Sequence, residues 1–236
     1  MQRYFVKEKQ NNNFILFDSD IHHIKNVMRN KINDKIEVVY EEKVYLCNIK
    51  ELEPIFLEIL KEYTEDREMP INLTIAVSLV QEQKFDLILQ KLTELGVSNI
   101  IPLKTERSIV RLDEKKLEKK YQRWNMICKE ASEQSHRTKM PKIEKLMTLK
   151  QLTSLNYNLK LICSLNESTK PVDYYLTDSV NDILFVIGPE GGLSNKEEEI
   201  LMNNDFKPVT LGKRVMRVET AAIYVASIIN YIYKGW

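Results

Sequence analysis

Five residues, Gly188-Pro189-Glu190-Gly191-Gly192, end the apolar run Leu184-Phe185-Val186-Ile187 and precede Leu193-Ser194 and an acidic helical stretch. Glycine reaches positive φ and leaves backbone atoms open to a close ligand. Proline stiffens the turn. In an open α/β sheet, ligands settle beyond the carboxyl ends of the strands. Taken alone, the pentapeptide reads equally as an ordinary tight turn. It is not a GxGxxG fingerprint, and no Gly-Lys-Ser/Thr follows to make a P-loop.

A second segment runs Leu211-Gly212-Lys213-Arg214-Val215-Met216-Arg217-Val218-Glu219-Thr220-Ala221. A strand ends at Gly212, three cations follow, and Glu219-Thr220 opens a helix. Its charges alone read as a solvated loop. Two glycine-containing loops at strand ends, one of them basic, favour a binding edge. In a third segment, Lys129 to Arg137, the spacing predicts Glu130, Gln134 and Arg137 on one helix face. Three convergent hydrogen-bonding groups suit a nucleobase or a partner subunit, and the bland alternative is a charged helix end.

The elements that must hold these residues fall into two stretches, 1–69 and 70–236. In the first, Arg3 to Val6 and Phe14 to Phe17 read as short strands. Asp18-Ser19-Asp20 offers capping oxygens to a helix with Ile21, Ile24, Val27 and Met28 on one face. Ile36, Val38 and Tyr40, then Val44 and Leu46, alternate around Glu41-Glu42-Lys43 as a hairpin, and Ile55 to Leu60 adds a strand. Short strands at this spacing predict a compact barrel. The charged run Glu65 to Met69, closed by Pro70, is the linker.

Beyond it strands and helices alternate, which predicts an α/β layer with a mostly parallel sheet. Strands are expected over Leu73–Leu79, Ile100–Leu103, Leu159–Cys163, Ile183–Ile187 and Pro208–Leu211. Helices carry the stripes Phe85 to Leu95, ended by Gly96, and Leu117 to Ala131. The last helix, Glu219 to Tyr233, is apolar over much of its circumference. Such a helix needs cover on more than one side, so a subunit interface is expected there, with Ile229 outward. Trp236 is expected to fray or to cover that interface.

Composition narrows the classes. The chain has 236 residues, 43% of them hydrophobic, enough for a core, and no apolar run of the ~20 residues a membrane helix needs. Its start lacks the apolar segment of a signal peptide. Cys47, Cys128 and Cys163 are scattered and form no CxxC, which fits buried thiols in a reducing cytosol rather than disulfides or zinc. His22, His23 and His136 make no metal-ligand pattern. Net charge is +1, yet 1–69 holds 11 Lys and Arg against 14 Asp and Glu, leaving 24 against 20 in the remainder. Local basic patches on a near-neutral chain are compatible with RNA binding.

The two glycine-containing segments resemble the cofactor-binding half of the SPOUT methyltransferases. Further segments match the branch that methylates N3 of a uridine in small-subunit (16S) ribosomal RNA: Glu130-Ala131-x-Glu133-Gln134-Ser135-x-Arg137, Lys91-Leu92-x-Glu94-Leu95-Gly96-Val97, Thr105-Glu106-Arg107-Ser108 and His23-x-x-x-Val27-Met28-Arg29. The matches run across nearly the whole chain in the family's order. There are departures. Asn33-Asp34 stands where Gly-Asp is usual, and Asn also tolerates a left-handed turn. Asp86 replaces a Glu, and Val215 and Met216 replace Ile and Leu.

The resemblance implies a PUA-like RNA-holding barrel over 1–69 and a SPOUT domain with a deep trefoil knot over 70–236. It further implies a cytoplasmic homodimer and S-adenosylmethionine as cofactor, with ribosomal RNA, in an assembled particle, as substrate. Ile187, Gly188, Pro189, Glu190, Gly191, Gly192, Leu211, Gly212, Val215 and Met216 would form the cofactor pocket, completed by Cys163 and Ser164. Arg217 is the first choice for orienting the uracil and Arg137 the second, the latter from the other subunit. Glu190 and Glu219 stand as bases. Arg29, Arg107, Gln134, His136, Arg137 and Arg214 would meet RNA, and no metal is expected. A non-enzymatic RNA-binding assembly factor that kept the fold is the alternative, and it predicts an occluded or unfilled cofactor pocket. A phosphate-binding metabolic enzyme is disfavoured by the absent P-loop.

Overall fold

The computed structural model describes residues 1–11, 13–108, 114–165 and 169–233, so Trp236 lies outside the described residues. The chain divides into two compact units, Met1–Glu68 with Ser132–Lys139, and Met69–Ala131 with Met140–Trp236. The return of 132–139 to the first unit is absent from a division into consecutive stretches.

The first unit has strands β1 (Arg3–Phe5), β2 (Glu8–Gln10) and β3 (Asn13–Ile15), then helix α1 (Asp18–His22). Strands β4 (Lys35–Tyr40), β5 (Lys43–Leu52) and β6 (Ile55–Tyr63) follow. Helix α1 continues through His23–Val27 with wider turns, the Met28 amide donating to the His23 carbonyl five residues back at 2.9 Å. Phe17, not an Asp or Ser, holds the cap position of α1, and no side chain caps it. Asp18 and Asp20 instead sit in the first turn, where a negative charge meets the positive helix end.

The main sheet has the order β1-β4-β5-β6, with β1 parallel to β4 and the other neighbours antiparallel; β2 and β3 form a separate ribbon. The β4–β5 hairpin closes on Glu41 and Glu42, both at positive φ, which a two-residue loop of matching twist demands. Asn33 takes φ 75°, the left-handed conformation expected of it. The core gathers Tyr4, Phe14, Ile24, Ile36, Val38, Cys47, Ile49 and Leu57.

Segment 132–139 is stitched in by buried charge. The Arg3 guanidinium donates to Glu37 and Glu65, each at 2.9 Å, and to the carbonyl of His136 at 2.6 Å. Glu133 accepts the Phe5 amide at 2.9 Å. Such a network is costly to leave half-satisfied, so it holds the segment in one place.

The second unit begins with β7 (Asn72–Ser78), α2 (Glu82–Glu94) and β8 (Asn99–Lys104). Helix α3 (Glu114–Gln134) leads into the first unit's segment, then come β9 (Lys142–Ile143), β10 (Met147–Thr148) and α4 (Leu149–Thr153). β11 (Leu159–Cys163), β12 (Lys170–Pro171), β13 (Asp182–Ile187), α5 (Asn195–Met202), β14 (Lys207–Thr210) and α6 (Val218–Ile232) complete it. The sheet order is β10-β8-β7-β13-β11-β14-β12, with β9 beside β8, and every pairing in it is parallel. Central strands buried on both faces read as continuous apolar runs, as Leu184 to Ile187 does.

Gly96 ends α2 at φ 84°. Helix α6 packs on α2, where Asn230 donates to the Leu95 carbonyl at 3.1 Å. Ile229 is fully buried in this packing, so it is not the outward residue expected; Tyr224 and Tyr231 are exposed instead. The 3.6-residue period fixes which residues share a face, but not which face meets α2.

Candidate active site

Strands β13, β11 and β14 are neighbours, and all three end at the same sheet edge. Beyond the ends of β11 and β14 lies a cavity of about 720 Å³, within the range of small-ligand pockets. Its wall takes Cys163, Ser164 and Leu165 from one strand end and Thr210 to Met216 from the other, with Ala221 of α6 behind. Of the residues expected at the cofactor, Cys163, Ser164, Leu211, Gly212, Val215 and Met216 are brought together here, joined by Arg214.

Ile187 to Gly192 do not line the cavity. They form the adjoining turn, and a Cβ on Gly192 would stand 3.3 Å from Leu165 in the cavity wall. The Gly192 amide closes the turn on the Pro189 carbonyl at 2.8 Å. A Cβ on Gly188 would sit 2.8 Å from the Leu193 nitrogen, so no larger residue fits. Gly191 has only the Arg107 Cδ within reach, at 3.5 Å.

The turn is held from outside. Arg107 Nη1 donates to the carbonyls of Gly191 at 2.5 Å and Leu193 at 3.4 Å. Lys84 pairs with Glu190 at 2.7 Å, and that bond holds the Glu190 carboxyl below its usual range. A carboxylate so stabilised is a poorer base, which sets Glu190 aside for proton abstraction. Glu197 is buried; one oxygen accepts the Glu106 amide and the other the Ser194 amide, while Ser194 caps α5 in return. The Ser194-x-x-Glu197 capping box is a signal the sequence carries for this fastening. Lys84 carried no such signal, since its partner lies 106 positions away.

The cavity floor is polar but inert. Ser164 donates to Glu198 at 3.1 Å. Burial, aided by the Glu198 charge, pushes the Cys163 thiol up to about 11, so it stays protonated and unreactive. Leu165, directly after the strand end, and Lys213 also line the cavity and were not among the expected contacts. Arg217 is exposed at the cap of α6, and its side chain makes no capping bond. Two residues on, in the first turn of that helix, the Glu219 Oε2 is buried without a hydrogen-bond partner among the described residues. A buried orphan acceptor is rare and needs a reason.

The segment expected to present Glu130, Gln134 and Arg137 on one helix face does not do so. Helix α3 ends at Gln134, His136 turns left-handed at φ 57°, and the Arg137 amide closes back on the Ser132 carbonyl. The Arg137 guanidinium is buried and donates to Glu68 at 2.6 Å and 3.0 Å. That pairing and burial leave the guanidinium little exposed, where an RNA contact was expected. Gln134 is exposed, His136 is half-buried with Nδ1 3.4 Å from Glu37, and Arg29 is exposed at φ 52°. Among the described residues no cluster of His, Cys, Asp or Glu could hold a metal, and no helix is long and apolar enough to cross a membrane.

A family model described as an RNA methyltransferase domain matches residues 67–230, and one described as an RNA methyltransferase PUA domain matches 16–62. The class is thereby an RNA methyltransferase with a parallel α/β unit. The chain is 34% identical to the ribosomal RNA small subunit methyltransferase E of Bacillus subtilis, covering 98% of this chain and 96% of that one. A structure of the same enzyme from Neisseria gonorrhoeae, bound to S-adenosylmethionine, is 32% identical with a TM-score of 0.88 over 98% of both chains. A Legionella pneumophila protein solved with the same cofactor is 28% identical with a TM-score of 0.91, over 98% of this chain and 97% of that one. The chain belongs to the ribosomal RNA small subunit methyltransferase E family.

Proposed function

We propose that this protein transfers a methyl group from S-adenosylmethionine to N3 of a uridine in small-subunit ribosomal RNA. The observation that carries the reading is the cavity at the carboxyl ends of β11 and β14, beside the glycine turn. The residues there fit such a cofactor. Gly212, at φ 109° in the wall, has no atom of the described residues within 4 Å of a Cβ position, so a ligand can lie against bare backbone. Leu165, Leu211, Met216 and Ala221 offer apolar contact, and Ser164 a polar one.

When bound, the cofactor supplies an electrophilic methyl group on a sulfonium, so the protein's task is alignment and loss of one proton. The N3–H proton leaves, the N3–carbon bond forms and the carbon–sulfur bond breaks. N3 lies on the Watson–Crick edge, so the uridine must be unpaired or turned out of its helix. Arg217 is exposed, its planar donors without a partner among the described residues, and suits the uracil oxygen that gains charge as N3 is deprotonated. Glu219, two residues along in the first turn of α6 with its orphan oxygen, is the better of the two expected bases. Arg214 lines the cavity, and Arg107 is exposed beside the turn; both suit RNA phosphates, with Arg29, Gln134 and His136 on the first unit.

The reading extends to architecture and setting. Residues 1–69 act as a PUA-like barrel that holds RNA. Residues 70–236 carry the SPOUT knot, in keeping with β11 lying between the later strands β13 and β14. The protein works in the cytoplasm on an assembled particle, as a homodimer joined through the outward face of α6. Tyr231→Glu on that face is expected to give monomers by light scattering.

Calorimetric titration with S-adenosylmethionine, followed by mass spectrometry of ribosomal RNA from cells with and without the protein, tests the whole. Cofactor binding and one N3-methyluridine that vanishes with the protein are expected. Absence of cofactor binding, or unchanged RNA, overturns the reading.

A further inference from the structure

Arg107 carries five N–H donors in a fixed fork. Nη1 is spent on the carbonyls of Gly191 and Leu193. Nε and Nη2 have no partner among the described residues, and the side chain is exposed. The residue is also anchored from behind. The preceding Glu106 amide donates to the buried Glu197 at 2.8 Å. The Thr105 hydroxyl lies 2.8 Å from that of Ser108 and 3.1 Å from that of Ser78, at the ends of two neighbouring strands. One half of the guanidinium thus grips the glycine turn on a rigid base, and the other half is uncommitted among the described residues.

The geometry points to Arg107 as a positioning residue that couples bound RNA to the glycine turn, its free edge taking a backbone phosphate while Nη1 holds the Gly191 carbonyl. This rests on the RNA methyltransferase reading above. A phosphate on Nε and Nη2 would fix the fork in plane and steady its grip on the turn, since a bidentate pair restrains orientation as a single contact does not. RNA binding and cofactor binding would then strengthen each other by one common factor, as linkage requires. No contact between RNA and cofactor is needed. A lysine offers a point charge without the fork, so it serves the phosphate or the carbonyl, but not both.

The test measures the dissociation constant of S-adenosylmethionine by calorimetry, with and without unmethylated small ribosomal subunits, for the parent, Arg107→Lys and Arg107→Ala. In the parent, subunits should tighten cofactor binding about fivefold, the worth of one net hydrogen bond. Arg107→Ala should bind cofactor alone about fivefold more weakly, lose the coupling and reduce the salt slope of subunit binding by about one. Arg107→Lys should keep most of the subunit affinity and its salt slope, yet show no coupling. Circular dichroism checks that both variants fold, which an exposed side chain permits. Coupling in Arg107→Lys or Arg107→Ala equal to the parent's overturns the proposal, as does a parent with no coupling. A parent that binds neither cofactor nor subunits overturns the functional reading instead, so the two failures are distinct.

Discussion

The two glycine-containing loops sit at the same sheet edge and are built on opposite terms. The 188–194 turn is clamped: Arg107 and Lys84 hold it from outside, Glu197 fastens its far end, and Gly188 leaves no room for a Cβ. The 211–217 loop lines the cavity yet is left open. Lys213, Arg214, Val215 and Arg217 are exposed, and among the described residues no side chain ties them down. Preorganised backbone suits a small ligand, because little ordering remains to be done on binding. Uncommitted cations suit a partner that arrives later and brings its own charge. On the proposed function both loops border the methyl donor, and the exposed cations of 211–217 are those left for the RNA.

Arg217→Ala should produce the largest effect, because a donor aimed at developing charge is worth ~100- to 1,000-fold in turnover. Single-turnover methylation of small ribosomal subunits at saturating cofactor measures it, and Arg217→Lys should recover only part. Stability should stay within about 0.5 kcal/mol, as expected for an exposed residue. A rate within a few-fold of the parent would pass the role to Arg214.

Arg137→Ala reverses that pattern. Its buried pair with Glu68 is structural, and removing one partner of such a pair costs about 3 kcal/mol. Calorimetry should show the melting transition lowered by roughly 6–12 °C. A variant that melts like the parent but no longer methylates would return Arg137 to the active site.

Within the clamped turn, Gly188→Ala and Gly191→Val should separate. The former forces backbone apart, at about 1–3 kcal/mol of stability. The latter meets only the flexible end of Arg107, so the melting point should hardly move while cofactor affinity falls. Equal melting points for the two would show that the turn is not clamped as described.

Lys84→Met should have the smallest effect. The Lys84 bond depresses the Glu190 carboxyl, so the stability it lends is present above the ordinary carboxylate pKa and lost as pH falls through the lowered value. The pair is partly exposed, so the loss at neutral pH is a few tenths of a kcal/mol. A carbon-detected NMR titration of Glu190 should move up toward the usual range in the variant; an unmoved titration would remove Lys84 as the cause.

Local chemistry made much of this legible. The alternating residues 36–46, the apolar run ending at Ile187 and the stripe closed by Gly96 each encode their element through side-chain period and turn preference. Asn33 announced its left-handed turn in the same way. The resemblance that named the family rested on segments preserved in order along the chain. The short pieces were silent: β2, β9, β10 and β12 have two or three residues each, fewer than a period can register.

What the sequence by itself determined was therefore the set of elements, the two glycine loops and the strand ends from which they leave. Only the tertiary structure decided which polar groups are spent and which are free. Arg137 and Arg217 look alike as letters in basic segments. One is buried on Glu68, 69 positions away, and the other stands exposed at a helix cap. Glu190 and Glu219 diverge likewise, the first held by Lys84 from 106 positions away and the second left with an orphan oxygen. A charge is assigned its work by neighbours distant in the chain, and burial and pairing arise only when the chain has closed on itself.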